Sequence, residues 1–112
     1  MSEEIIKASG YFGGYSANNN YDVQLKVKFP SEQLASALQF VAGLQKQVNL
    51  KAKIGDDIIP LAFFNVYSIR IDKDSGCTIT FKSNKNACKF ENLAKLTVDE
   101  AFIDFAAKVI DN

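Results

Sequence analysis

The chain has 112 residues, and its 13 basic and 13 acidic side chains leave no formal net charge at neutral pH. Net charge therefore indicates neither a nucleic-acid partner nor a membrane surface, and the length predicts a single domain spanning residues 1–112. The sequence contains no histidine, which excludes the usual general base near neutral pH and most catalytic zinc sites. No phosphate-binding loop motif is present. We therefore expect a protein that is not an enzyme and that uses no metal or cofactor.

The sequence also predicts a protein of the cytoplasm rather than of a membrane or an exported compartment. No stretch approaches the ~20 apolar residues that cross a bilayer, and the acidic residues 1–4 lack the pattern of a signal peptide. Cys77 and Cys88 agree with this location. A predicted hairpin sets Cys88 opposite Phe81 and separates the two cysteines by roughly 13 Å, beyond the reach of a disulfide. We expect both to be free, buried thiols.

The first half of the chain predicts a strand hairpin followed by a helix. Residues 5–12 form one predicted strand, and the Gly- and Asn-rich residues 13–20 form the loop after it. Residues 21–29 alternate strictly between apolar and polar side chains, which is typical of a strand with one buried face. Pro30 ends this strand. Apolar residues then recur at helical spacing as far as about Gln47 and predict the first helix.

The second half predicts further strands and a terminal helix. The strands are predicted at residues 48–54, 61–71, 77–82 and, as a short sixth strand, 87–90. A helix should start near Thr97, because Thr97 and Glu100 have the spacing of a capping box and Phe102, Phe105 and Val109 are among its apolar face. The order ββαβββ(β)α predicts an α+β domain. We expect a mostly antiparallel sheet of five or six strands with two helices packed on one face.

An acidic segment lies between two of the predicted strands. Asp72 and Asp74 have the spacing of the first ligands of a calcium-binding loop. The bidentate acid required later in such a loop is missing, because Phe81, Lys82 and Ser83 stand there. An acidic β-turn is therefore the favoured interpretation.

The distribution of charge along the predicted strands is the main functional signal. Six basic residues occupy outward strand positions, namely Lys26, Lys28, Lys51, Lys53, Arg70 and Lys82. The only acid at such a position is Asp22. One interpretation is a basic sheet face that follows a nucleic-acid backbone. The alternative is that lysine is common on the wet side of strands, where it protects exposed edges from aggregation.

The aromatic residues supply the second signal. Tyr11 and Tyr15 stand beside glycines at a loop, where bases could stack on them or where they pack over the end of the hairpin. Phe63 and Phe64 are adjacent, so a regular strand must expose one of them. A regular strand exposes Phe64, whereas a bulge near Val66 buries Phe64 and exposes Phe63.

These signals support two functions. The first is a non-enzymatic binding protein that acts on a protein partner, as an inhibitor, adaptor or assembly subunit, with aromatic anchors and a lysine rim. The composition also suits a phage or mobile-element protein that blocks a host enzyme. The alternative is a module that binds nucleic acid, preferably single-stranded, on the basic face. The candidate binding residues are Tyr11, Tyr15, Lys26, Lys28, Lys51, Lys53, Phe64, Arg70 and Lys82.

Overall fold

Six strands and two helices make up the described part of the chain. The structure, a computed structural model, describes residues 5–18, 22–30, 33–43, 47–96 and 103–110. The strands are β1 (Ile5–Ala17), β2 (Asp22–Phe29), β3 (Gln47–Ile54), β4 (Asp57–Ile71), β5 (Cys77–Asn84) and β6 (Ile103–Ile110), and the helices are α1 (Gln33–Gly43) and α2 (Phe90–Leu93). The predicted α+β class, with its antiparallel sheet and two helices, is confirmed.

The sheet closes on itself, which the sequence analysis did not predict. The strand order is β1-β2-β5-β4-β3-β6, and β6 pairs with both β3 and β1 to complete the barrel. Each of the pairings is antiparallel. The buried and wet faces expected of an open sheet therefore become the inside and the outside of a barrel. Closure removes the free edges that an open sheet would leave.

Strand alternation fills the interior of the barrel. The regular alternation predicted for β2 is confirmed, because Val23, Leu25, Val27 and Phe29 are all buried. At one end of the barrel, α1 buries Ala35, Leu38 and Val41 on its inner side. At the start of β4, α2 and the turn after it bury Leu93 and Leu96. These sets belong to one continuous hydrophobic core.

The C-terminal helix predicted from Thr97 is wrong over the residues that can be compared. Residues 97–102, including the predicted cap, lie outside the described part of the chain, and Ile103–Ile110 form β6. Phe105 and Val109 are four residues apart, so they suit one face of a helix as well as one face of a strand. Pairing with β1 and β3 decides between the two, because each offers β6 a row of backbone hydrogen-bonding groups.

The short strand predicted at residues 87–90 is reduced to a single bridge. Cys88 pairs with Ala62 of β4 as an isolated antiparallel bridge, and α2 begins at Phe90. The expected facing of Cys88 and Phe81 is therefore wrong. Both cysteines are nevertheless buried and free, as predicted. Burial raises the pKa of the Cys88 thiol.

Two irregularities in β4 settle the ambiguity at Phe63 and Phe64. One lies at Leu61 and Ala62, where pairing with β3 shifts register and Ala62 adopts a φ of 72°. The other leaves Tyr67 unpaired with β5. Phe64 is fully buried and Phe63 is 40% exposed. The bulge interpretation is confirmed, and the candidate binding residue Phe64 is a core residue.

Gly10 of β1 permits close packing between β1 and β2. A Cβ atom at this position would stand 2.7 Å from the backbone oxygen of Lys28 and 2.8 Å from the Phe29 ring. With no side chain at Gly10, the Phe29 ring meets Phe105 edge-on, with ring centroids 5.8 Å apart. This contact joins β2 to β6 through the interior of the barrel.

We expect the substitution Gly10→Ala to lower the free energy of unfolding by about 1–3 kcal/mol, because the new methyl group overpacks the space beside Phe29. Gly43→Ala is the matched control. A Cβ at Gly43 meets nothing within 4 Å, and alanine there should raise stability by up to about 1 kcal/mol. Urea unfolding of both variants measures the difference. Equal stability of the two variants would contradict the close packing at Gly10.

Candidate binding surfaces

Closure of the barrel separates the predicted basic residues into two groups. β2 and β3 lie three strands apart in either direction around the barrel. Lys26 and Lys28 on β2 therefore point away from the side that carries Lys51 and Lys53 on β3. The single basic stripe predicted from the sequence does not form, because that prediction assumed an open sheet with one shared outer face.

The first surface combines exposed tyrosines with lysines. We define the tyrosine–lysine face as Tyr11, Tyr15, Lys26, Tyr67 and Lys82, on the outer side of β1, β2, β5 and the second half of β4. Tyr67 is 60% exposed, and the ammonium group of Lys82 lies 5.1 Å from its ring centroid. Lys26 pairs with Thr80 across β2 and β5, so polar residues surround the lysines.

The two predicted tyrosines are almost equally exposed. Tyr11 is 38% exposed and pairs with Lys28 on β2. Tyr15 is 39% exposed, but its ring lies 6.4 Å from that of Phe12 and meets Phe90 edge-on at 5.8 Å. Tyr15 thus packs over the end of the hairpin, one of its two predicted roles, while keeping an exposed edge.

Tyr67 was not among the predicted binding residues. A regular strand that exposes Phe64 would place Tyr67, four residues after Phe63, on the same inward face as Phe63. The irregularity after Val66 leaves Tyr67 unpaired between Val66 and Ser68, and its ring is exposed. The sequence analysis did consider a bulge near Val66. It did not infer from that bulge that Tyr67 would be exposed.

Lys28 and Arg70 are held by the acidic turn that joins β4 to β5. The Lys28 ammonium lies 3.1 Å from Asp74 Oδ2 and 3.7 Å from Asp72 Oδ2. Arg70 Nε lies 3.1 Å from Asp72 Oδ1. Thr78 Oγ1 donates a hydrogen bond to Asp72 Oδ2 at 2.9 Å. Both predicted basic residues are therefore paired with carboxylates and are poorly placed to bind an external anion.

The acidic segment is a β-turn, as favoured by the sequence. Within it, the backbone N–H of Asp72 donates to the carbonyl of Gly76, and that of Gly76 donates to Asp74 Oδ1. No group of three or more potential metal ligands occurs among the residues that the structure describes.

The ion-pair cluster shifts the titration of its members. The hydrogen bond from Thr78, with the nearby Arg70, holds the pKa of Asp72 below its usual range. Lys28 lowers the pKa of Asp74, and that carboxylate in turn raises the pKa of Lys28. All of these groups face water, which screens their interactions and keeps each contribution to stability small.

The second surface is a groove on the opposite side of the barrel, across β6. It encloses a volume of about 590 Å³. We define the lysine groove by six of its lining residues, Lys7, Lys51, Lys53, Ile58, Asp104 and Ala106. Only Lys51 and Lys53 were candidates from the sequence. Lys7, Asp104 and Ala106 were missed because the C-terminal segment was predicted to be a helix, and so its pairing with β1 was not foreseen. Ile58 was missed because the predicted fourth strand began only at residue 61.

Strand register determines the arrangement of charges in the lysine groove. Ala106 of β6 pairs with Lys7 on one side and with Lys51 on the other. Asp104 pairs with Lys53, and the hydroxyl of Ser9 donates to its Oδ1 at 2.5 Å. Lys7, Lys51 and Lys53 form no ion pair with a carboxylate of the described residues.

Comparison with known proteins adds no assignment. No protein-family model, no curated protein and no solved structure matches this chain. Among the helices in the described ranges, none has the length and apolar character needed to cross a membrane.

We expect Asp72→Asn to lower the free energy of unfolding at neutral pH, because it removes the charge that pairs with Arg70 and Lys28. The pKa of Asp72 is lower in the folded state than in the unfolded state. Its contribution is therefore complete above the unfolded pKa of about 4 and disappears as the pH falls through the folded value. The difference between wild type and variant should shrink over that range.

Denaturant unfolding at a series of pH values measures this effect. Asp56→Asn is the control, because Asp56 lies on the turn between β3 and β4 and forms no ion pair with a described residue. That variant should follow the pH dependence of the wild type. A difference between wild type and Asp72→Asn that stays constant down to about pH 2 would show that the ion pair does not carry the effect.

Proposed function

We propose that this protein is a non-enzymatic binding protein that contacts a protein partner through the tyrosine–lysine face. The observation that supports this most directly is the exposure of three tyrosines on the strand run β1-β2-β5-β4, with Tyr11 and Tyr15 on β1 and Tyr67 on β4. Tyrosine is enriched among the residues that dominate the affinity of protein interfaces, because its ring buries a large area while its hydroxyl stays hydrogen-bonded. Its two side-chain torsions also cost little entropy to fix.

The distribution of lysines favours a protein partner over nucleic acid. Of the four basic residues predicted on this side of the barrel, Lys28 and Arg70 are paired with the acidic turn. Lys26 and Lys82 remain without a described carboxylate partner. Contact with two phosphates would change the affinity for a single strand with a salt slope of only about −1.4. Two lysines are too few to hold a nucleic-acid strand, but they suit the polar rim of a protein interface.

Single-stranded nucleic acid is the second candidate function for the same face. The observation that favours it is the pair of Lys82 and Tyr67, in which a cation stands over an exposed ring. A base stacked on Tyr67 beside a phosphate bound by Lys82 would combine the two contacts that such proteins use.

The proposed role covers an inhibitor, an adaptor and an assembly subunit, including one encoded by a phage or mobile element. Each of these functions needs a rigid surface with aromatic anchors and no catalytic group. A closed barrel provides that rigidity, because each described strand pairs on both sides.

We expect the double substitution Tyr11→Ala and Tyr67→Ala to weaken partner capture at least about tenfold, because two anchors are removed from the interface. Affinity capture from extracts of the source cells, with quantitative mass spectrometry of each captured protein, measures the loss. Phe40→Ala is the matched control. Phe40 is 69% exposed and lies on α1, which contributes no residue to this face. A captured protein that is lost equally from both variants would contradict the proposal.

Fluorescence anisotropy with labelled oligothymidylate tests the second candidate. At about 50 mM salt, where phosphate contacts are strong, we expect no measurable binding. Binding that is abolished by Lys26→Gln and Lys82→Gln together, and also by Tyr67→Ala, would replace the protein partner with single-stranded nucleic acid.

A further inference from the structure

We propose that the lysine groove is a second binding site, which takes an acidic segment of another protein in an extended conformation. The groove is centred on β6, and β6 lies opposite β5 in the barrel. The site is therefore separate from the tyrosine–lysine face and does not depend on the function proposed for that face.

Charge provides the first argument. Lys7, Lys51 and Lys53 project from the two walls of the groove and have no carboxylate partner among the described residues. The one acid in the groove, Asp104, accepts a hydrogen bond from Ser9. Three ammonium groups with a single acid among them create a local positive potential on a protein whose net charge is zero.

The spacing of the lysines provides the second argument. Lys7 and Lys51 both pair with Ala106, so one strand separates them and their Cα atoms stand roughly 10 Å apart. Lys51 and Lys53 are alternate residues of β3 and are roughly 6.6 Å apart along it. Alternate side chains of an extended peptide have the same repeat. A peptide lying along β6 would direct alternate carboxylates toward β3 and the intervening ones toward Lys7.

The floor and border of the groove suit a peptide. Ala106 has a small side chain, which leaves a trough between the lysines. Ile58 is 65% exposed at the border and offers apolar contact to the aliphatic part of a glutamate or to a neighbouring leucine. The volume of about 590 Å³ accommodates a short segment rather than a folded surface.

The same lining disfavours nucleic acid. The only aromatic residue that lines the described groove is Phe105, which is 4% exposed and belongs to the core. Bases bound here would therefore have no ring on which to stack.

Fluorescence anisotropy with a fluorescein-labelled oligoglutamate peptide tests the proposal at low salt. We expect saturable binding, and we expect an oligoglutamine peptide of the same length not to bind. The triple substitution Lys7→Gln, Lys51→Gln and Lys53→Gln should weaken binding about tenfold or more, because three charge contacts are lost.

Two further variants separate the groove from a general effect of charge. Lys73→Gln, Lys89→Gln and Lys95→Gln together remove the same number of charges from exposed positions outside both surfaces and should change the affinity less than about twofold. Ala106→Leu leaves the charge unchanged and fills the trough, so it should weaken binding. Thermal unfolding of each variant establishes that the barrel is intact.

Three results would overturn the proposal. The first is no binding of oligoglutamate to the wild-type protein at low salt. The second is an equal loss of affinity in the two triple variants, which would show that only total charge matters. The third is tighter binding of oligothymidylate than of oligoglutamate, abolished by the groove substitutions, which would make the groove a nucleic-acid site.

Discussion

The pairing of β6 with both β1 and β3 is the constraint on which the rest of the structure depends. These two sets of backbone hydrogen bonds turn a sheet of five strands, which would have two free edges, into a barrel with a closed interior. They also bring Phe105 against Phe29, so that the core is continuous between strands that are far apart in the sequence. Without β6, Leu50 and Ala52 of β3 would lose their paired strand on one side.

Closure also determines how the outward side chains are distributed over the surface. A barrel has no single outer face, so side chains that alternate outward on every strand are distributed around it. Lys26 and Lys51 are both outward residues of regular strands, yet they lie on different sides of the barrel. The acidic turn then neutralises Lys28 and Arg70 by ion pairs, so one surface carries less positive charge. The barrel thus carries an aromatic surface of low charge and, across from it, a small basic groove.

Strands with a regular alternation of apolar and polar residues were predicted accurately, and those with an ambiguous pattern were not. Residues 22–29 alternate without exception, and β2 was predicted within one residue of its bounds. In β4, period-two alternation breaks at Phe63 and Phe64, and the sequence left two registers open until the backbone irregularities chose between them. The apolar residues of β6 fitted both the helical period and the strand period. Its partners, β1 and β3, are distant in sequence, so no local signal identified them.

The sequence by itself determined the class of fold, the hairpin of β1 and β2, the acidic turn between β4 and β5, the burial of both cysteines and the absence of histidine chemistry. These properties depend on composition and on neighbours within a few residues, which a sequence displays directly. Only the tertiary structure decided that the sheet closes, that the basic residues separate into two groups and that Lys7, Ala106 and Asp104 share a groove. These features depend on which strands pair. The paired segments are distant in the sequence, and nothing in the local sequence of one identifies the other as its partner.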